Sequence, residues 1–167
     1  MGLGRISKIG KIRLSDEPRR RRAPAPVEAR GAGSFTDETL PDDLRKASRL
    51  IGSGKARRIW RLRQKGIDGS ILEMMVYDWL ERNKIDYEFQ VWLPDAHTRL
   101  DFLIHPRAIA LRIQGEYWHR PEDQNDRAVR YALTLMGFKV IDAFENQIYT
   151  NLDMVMRRAL AGMEVGR

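Results

Sequence analysis

The chain has 167 residues, with 30 Lys and Arg against 23 Asp and Glu, a formal net charge of +7 with histidines neutral, and no cysteine. That composition excludes a disulfide framework, a thiolate zinc cluster and a cysteine nucleophile, and its length and 43% apolar share suit one domain with tails in a reducing, cytoplasmic setting. No apolar run approaches the roughly 18–20 residues needed to cross a bilayer, so no membrane partner is expected.

The charge divides unevenly. Residues 1–66 carry 18 Lys and Arg against 7 Asp and Glu, a balance of +11, whereas residues 67–167 carry 12 against 16, a balance of −4. A basic flank beside a mildly acidic domain fits a tail that holds a polyanion; it fits a merely solubilising tail as well. Residues 1–35 read as a disordered basic tail. Arg19 to Arg22 run together, Pro24 and Pro26 follow, then Gly31 and Gly33, and such a stretch buries too little to offset its ordering entropy. It lacks the apolar stretch of a signal peptide, and Ile6 stands where a myristoylation pattern needs Ser or Thr. The acid-free first 15 residues also suit a transit peptide, although nothing marks a cleavage site.

Residues 36–66 read as a basic helical extension. Leu40, Leu44, Ala47, Leu50 and Ile51 share one face of a helix that starts near Pro41 and stops at Gly52. A second helix lies between Gly54 and Gly66, where Lys55, Arg57, Arg58, Arg61, Arg63 and Lys65 surround Ile59, Trp60 and Leu62. It suits a helix laid along phosphates, with Arg57, Arg58, Arg61 and Lys65 as the contacts; the alternative is a solvated helix docked by its apolar residues.

Residues 67–162 read as a domain of alternating α and β elements. After the Asp68-Gly69-Ser70 turn, helical spacing runs from Ile71 to Leu80. Three strands follow: Asp86–Trp92 with Tyr87, Phe89 and Val91 on one side, Thr98–Ile104 with Leu100, Phe102 and Ile104 on one side, and Arg107–Gln114 with Ile109, Leu111 and Ile113 inward and Arg112 and Gln114 outward. A helix from Pro121 to Gly137, a strand over 138–144 and a closing helix complete a mixed sheet covered by helices.

One polar group stands out. Asp101 sits on its strand among apolar neighbours, the next strand brings Arg112 and Gln114, and the loop beyond holds Glu116 and His119. Carboxylate and carbonyl oxygens in that arrangement suit a hard cation such as Mg²⁺ or Mn²⁺. Asp101 alone equally fits a strand carboxylate paired with Arg99 or Arg112. Glu73, three residues after Ser70, fits a capping box.

The order helix–strand–strand–strand–helix–strand, with Ser70-Ile71-Leu72-Glu73, Arg99-Leu100-Asp101-Phe102-Leu103-Ile104 and Arg112-Ile113-Gln114-Gly115-Glu116-Tyr117-Trp118-His119, resembles the PD-(D/E)XK nuclease superfamily, and within it the very-short-patch-repair endonuclease group. The resemblance covers roughly residues 67–150. It implies a four-stranded, restriction-endonuclease-like αβββαβ core and a metal-dependent DNA endonuclease that hydrolyses phosphodiester bonds.

Carried over position by position, Asp101 matches the metal-binding aspartate, the Ile113 carbonyl the second metal contact, His119 the catalytic histidine, and Glu73 the first-helix glutamate that reaches the site through water. Glu116 is a candidate third ligand or a plain surface-loop acid, Gln114 a water-orienting group, and Tyr117 and Trp118 match aromatics that wedge into the DNA stack, while by themselves they fit core lids as well. Two departures stand beside the match. Arg112 and Gln114 occupy positions where the superfamily carries Glu and Lys, which gives Arg112 two readings, a phosphate contact or a disabled site. The alternative function is therefore a catalytically inactive nuclease-fold protein that binds DNA or serves in nucleoprotein assembly.

Overall fold

The computed structural model describes residues 40–115 and 124–163. The tail expected over residues 1–35 lies outside them. Two helices, α1 (Asp42–Ile51) and α2 (Ser53–Gln64), are joined through Gly52, whose φ of +83° is open to glycine at little cost and whose N–H donates back to the Ser48 carbonyl at 2.8 Å. Then come α3 (Ile71–Arg82), β1 (Tyr87–Leu93), a single 3₁₀ turn (Pro94–Ala96), β2 (Thr98–Ile104), β3 (Ile109–Gln114), α4 (Gln124–Leu135), β4 (Lys139–Phe144) and α5 (Glu145–Leu160). The protein is thus α/β, with one four-stranded mixed sheet and flanking helices. No helix among the described residues is long and apolar enough to cross a membrane.

The sheet runs in the order β1-β2-β3-β4. The first two pairings are antiparallel and β3–β4 is parallel, the crossover being made by α4. One face of the sheet packs under α3 and α5. There Phe102, Ile104, Ile109, Leu111 and Ile141 join Met74, Leu80, Ile148 and Met156 in the larger core. That core continues without a break into α1 and α2 through Leu44, Ala47, Ala56 and Ile59, so the cationic helix is seated on the sheet-bearing body through its apolar side. The opposite face, with Leu103, Ala110 and Val140, packs under Leu133 of α4 in a smaller core.

β1 and β2 do not keep to one face. Tyr87, Phe89, Phe102 and Ile104 feed the larger core, but Val91, Leu93 and Leu100 feed the smaller one, although all alternate in step along their strands. The expectation that Val91 shares a side with Phe89, and Leu100 a side with Phe102, is therefore corrected. The cause is local. Gln90 has a left-handed φ of +54°, and the register steps over it: Phe89 faces Phe102 and Val91 faces Leu100, with Gln90 and Asp101 left out of the ladder between them. A residue in that conformation rotates the ribbon, and beyond it the hairpin presents its other face.

α5 is also interrupted. Asn151 leaves helical geometry (φ −156°, ψ 78°), and its Oδ1 accepts the Met154 N–H at 3.0 Å, which makes it the N-cap of a second helical segment. The indole N–H of Trp79 donates to Asp153 at 3.2 Å and ties α3 to that segment.

Candidate active site

The ribbon reversal sets the site. Asp101 is the residue at which β2 changes face, so its carboxylate lies at the seam between the two cores and not among the alternating polar residues of a solvated strand. Leu100 turns toward α4, and Asp101 turns the other way, to the first turn of α3. Glu73 meets it there, within hydrogen-bonding reach. Asp101 Oδ2 also accepts the Ile113 backbone N–H at 2.7 Å, where β3 has already parted from β2. The N–H and C=O of an extended residue project to the same side of the strand, so the Ile113 carbonyl belongs to the β2 side as well.

Glu73 is held independently. Ser70 N–H donates to Glu73 Oε2 at 2.6 Å and Glu73 N–H donates to Ser70 Oγ at 3.2 Å, a reciprocal capping box at the start of α3. The capping and site readings of Glu73 therefore hold together. The turn before it is pressed against β1: Gln90 Nε2 donates to the Asp68 carbonyl at 3.1 Å, and a Cβ on Gly69 would stand 3.1 Å from Phe89 Cζ and 3.3 Å from Glu73 Oε2. Glycine at 69 is what lets the turn approach.

The electrostatics follow from this placement. Burial pushes the Asp101 carboxyl up to about 7; the nearby Glu73 charge adds to the rise, while the Ile113 N–H and, more weakly, the Arg112 charge oppose it. The desolvating surroundings include an aromatic cluster flanking the seam. Phe89 and Phe102 lie 5.0 Å apart between ring centroids, and Tyr77 meets Phe89 edge-on at 5.4 Å. Two carboxylates forced together in such a place are short of positive charge.

Arg112 supplies it only weakly and without a direct contact. Its guanidinium is turned under α4, where Nη2 contacts Asp126 and Nε lies 3.3 Å from Asp142, and Arg130 completes the group at 2.7 Å from Asp142. Arg112 Nη1 is buried without a hydrogen-bond partner among the described residues, and the Arg112–Asp142 contact is an ion pair by distance without hydrogen-bond alignment. Asp101 forms an ion pair with neither Arg99 nor Arg112 among the described residues. One expectation changes here. Arg112 is not outward but nearly buried, its side chain 11% exposed, and Asp126 and Arg130 of α4 join it in an inter-element ion network. Gln114 ends β3 opposite Phe144 and falls on the Arg112 side by alternation, so the structure does not bring it to the Asp101–Glu73 pair.

Glu116, Tyr117, Trp118 and His119 lie outside the described residues. Among those described, no three His, Asp or Glu side chains converge as a metal-binding group. Of the four cationic candidates on α2 and at its C-cap, Arg58 is engaged with Asp78 at 3.1 Å and Arg57 donates to Ser53 at 3.2 Å, while Arg61 and Lys65 are exposed. Comparison with protein-family models, with curated proteins and with solved structures finds no match. What the chain does must therefore be argued from this geometry.

Sequence reasoning did not single out Gln90, Gly69 or the Asp142 network. Nothing in the even alternation of 87–93 marked the first, since Glu88 and Gln90 both stand at ordinary polar positions. The Asp-Gly-Ser turn just before a capping glutamate was the signal for the second.

Proposed function

We propose that the protein is a metal-dependent DNA endonuclease of the PD-(D/E)XK type, with a restriction-endonuclease-like core formed by α3, β1–β3, α4 and β4. The observation that carries this reading is the Asp101–Glu73 carboxylate pair set at the point where β2 and β3 part, beside the Ile113 backbone. Mg²⁺ is commonly held by one or two carboxylates with water and substrate phosphate completing its shell, and an Asp, a Glu and a main-chain carbonyl fit that requirement without a third acidic group. Mg²⁺ or Mn²⁺, when bound, lowers the pKa of coordinated water and offsets charge building up on the phosphate.

The chain's own contributions are positional. Ile113 N–H fixes one oxygen of Asp101, and the capping box fixes Glu73, so both carboxylates are oriented before substrate arrives. His119, four residues past Gly115, is the proton-transfer group in this reading, since an imidazole can either give or take a proton near neutral pH. Arg61, Lys65 and the basic N-terminal residues supply a salt-dependent hold on the phosphate backbone.

A plasmid-nicking assay with Mg²⁺ or Mn²⁺ tests the proposal. Wild type nicks, and Asp101→Ala and His119→Ala do not; nicking that survives Asp101→Ala removes the mechanism. The second reading, a nuclease fold that binds DNA without cutting it, is favoured by Arg112 being occupied in ion pairs and Gln114 standing away from the acids. It requires binding indifferent to EDTA and to Asp101→Ala, with no nicking by wild type.

A further inference from the structure

Beyond the seam at Gln90 and Asp101, the β1–β2 hairpin carries a face that nothing in the acid pair explains. Val91, Leu93 and Leu100 are turned to the smaller core, so Trp92 and Arg99 must project from the other side, the side to which Asp101 also turns. They are directly opposed in the ladder, which places indole and guanidinium side by side. Both are exposed, Trp92 at 58%, an unusual position for the largest apolar side chain on a short two-stranded tip. Arg99 forms no ion pair among the described residues, in contrast with Arg58, Arg63, Arg82 and Arg112, which all face carboxylates. Arg99 is two residues from Asp101, about 7 Å along the strand at ~3.3 Å per residue, which is roughly the reach of one extended nucleotide.

We infer that Trp92 and Arg99 form a single-nucleotide platform for the DNA strand engaged at Asp101: Trp92 stacks on an unpaired base and Arg99 contacts the adjoining phosphate. The assignment rests on the nuclease reading for its choice of DNA. The physical pattern is that of single-strand recognition, where an aromatic surface takes any base by its π-face and a neighbouring cation tracks the backbone. A guanidinium with no ion pair among the described residues, set beside an exposed ring, favours a polyanion bearing flat rings over an apolar protein partner, which would leave Arg99 desolvated and unpaired. The 3₁₀ turn at the hairpin tip, anchored by buried Ala96 against the smaller core, keeps the platform rigid.

The test uses the full-length protein in EDTA, so that no cleavage intervenes. The probe is a fluorescent thymidine 12-mer, with a second version carrying 5-bromodeoxyuridine for photocross-linking. Trp92→Ala is expected to weaken binding of the 12-mer roughly tenfold, Trp92→Phe to recover most of it, and Arg99→Ala to lower the salt dependence of binding by about one phosphate contact. Mass spectrometry is expected to find the cross-link on Trp92. Circular dichroism melts matching wild type verify that the variants are folded. Unchanged affinity in Trp92→Ala, equal losses on single-stranded and blunt duplex probes, or cross-links confined to other residues overturn the platform. A protein that cross-links at Trp92 but never nicks plasmid in Mg²⁺ supports the platform and overturns the hydrolytic reading; one that nicks at full rate as Trp92→Ala with unaltered single-strand affinity does the reverse.

Discussion

Replacing Asp101 by Asn separates the stability of this site from its chemistry. Burial and the Glu73 charge lift the Asp101 carboxyl to about 7 in the folded protein, against an ordinary aspartate value of 3.8. A raised acid pKa means that the fold prefers the protonated form, so the stabilisation is complete below the unfolded value and is lost as pH climbs through about 7. Three pKa units at about 1.4 kcal/mol each set a ceiling near 4 kcal/mol on what ionised Asp101 costs the metal-free protein at pH 8. Asn has the shape of the protonated acid. Its Oδ1 accepts the Ile113 N–H and its amide donates to Glu73, so the cost disappears while both contacts remain. Urea denaturation of full-length protein in EDTA is therefore expected to show Asp101→Asn more stable than wild type by about 2–4 kcal/mol at pH 8, with the gap falling below about 2 kcal/mol at pH 5. In the nuclease reading, millimolar Mg²⁺ narrows the gap at pH 8 by binding wild type alone, and the variant does not nick DNA. A variant less stable than wild type at pH 8, or a gap that ignores pH, would refute the reasoning that Asp101 is a buried acid crowded by a second one.

Four further outcomes follow from the same geometry. Arg112→Ala leaves Asp142 and Asp126 without their shared cation and is expected to lower stability by about 3 kcal/mol, with Asp142→Ala in the same chain recovering part of the loss in a double-mutant cycle by urea denaturation. Gly69→Ala sets a methyl 3.1 Å from Phe89 and 3.3 Å from Glu73, so a loss of about 1–2 kcal/mol in thermal or urea melts and a fall in nicking rate are expected together. In the nuclease reading, Arg61→Glu on α2 and Lys65→Glu at its C-cap are each expected to weaken DNA binding at low salt and to reduce its salt slope by about one, as read by fluorescence anisotropy. Arg58→Ala instead lowers the melting temperature, because Arg58 is committed to Asp78 across the α2–α3 contact.

The order of elements was legible because each strand and helix carries a local period and a punctuating residue. Ser70 with Glu73 announces α3, and the apolar stripe Ala128–Met136 announces α4 before Gly137. The uninterrupted run Ile109-Ala110-Leu111 was the sign that β3 is buried on both faces, since an edge or half-solvated strand alternates. Reading Arg112 as outward ignored that sign. The reversal at Gln90 was not legible at all: Tyr87, Phe89, Val91 and Leu93 keep a perfect period of two, and alternation reports sidedness only while the backbone stays extended. The pairing of Glu73 with Asp101 spans 28 positions and depends on that reversal, so the sequence names both acids without showing that they meet.

The reversal also explains why an acid survives between two cores. A ribbon that feeds one core with Phe89 and Phe102, and the other with Val91 and Leu100, must carry one residue pair across the boundary, and there neither side chain can be packed on an apolar face. The pair is also outside the ladder, so its groups need other partners. Gln90 finds the Asp68 carbonyl and Asp101 finds the Ile113 N–H. These two bonds draw the α3 turn and the end of β3 to the same point, and Glu73 arrives with the first of them. An apolar residue at 101 would satisfy the cores but leave the Ile113 N–H without its acceptor where β3 leaves β2. The left-handed Gln90 carries a backbone cost of order 1–3 kcal/mol, and a crowded acid adds to it; a fold selected for stability alone has no use for either. Strain and like charge gathered at one exit of the sheet, rather than the acid itself, set Asp101 apart from a polar residue that happens to lie on a strand.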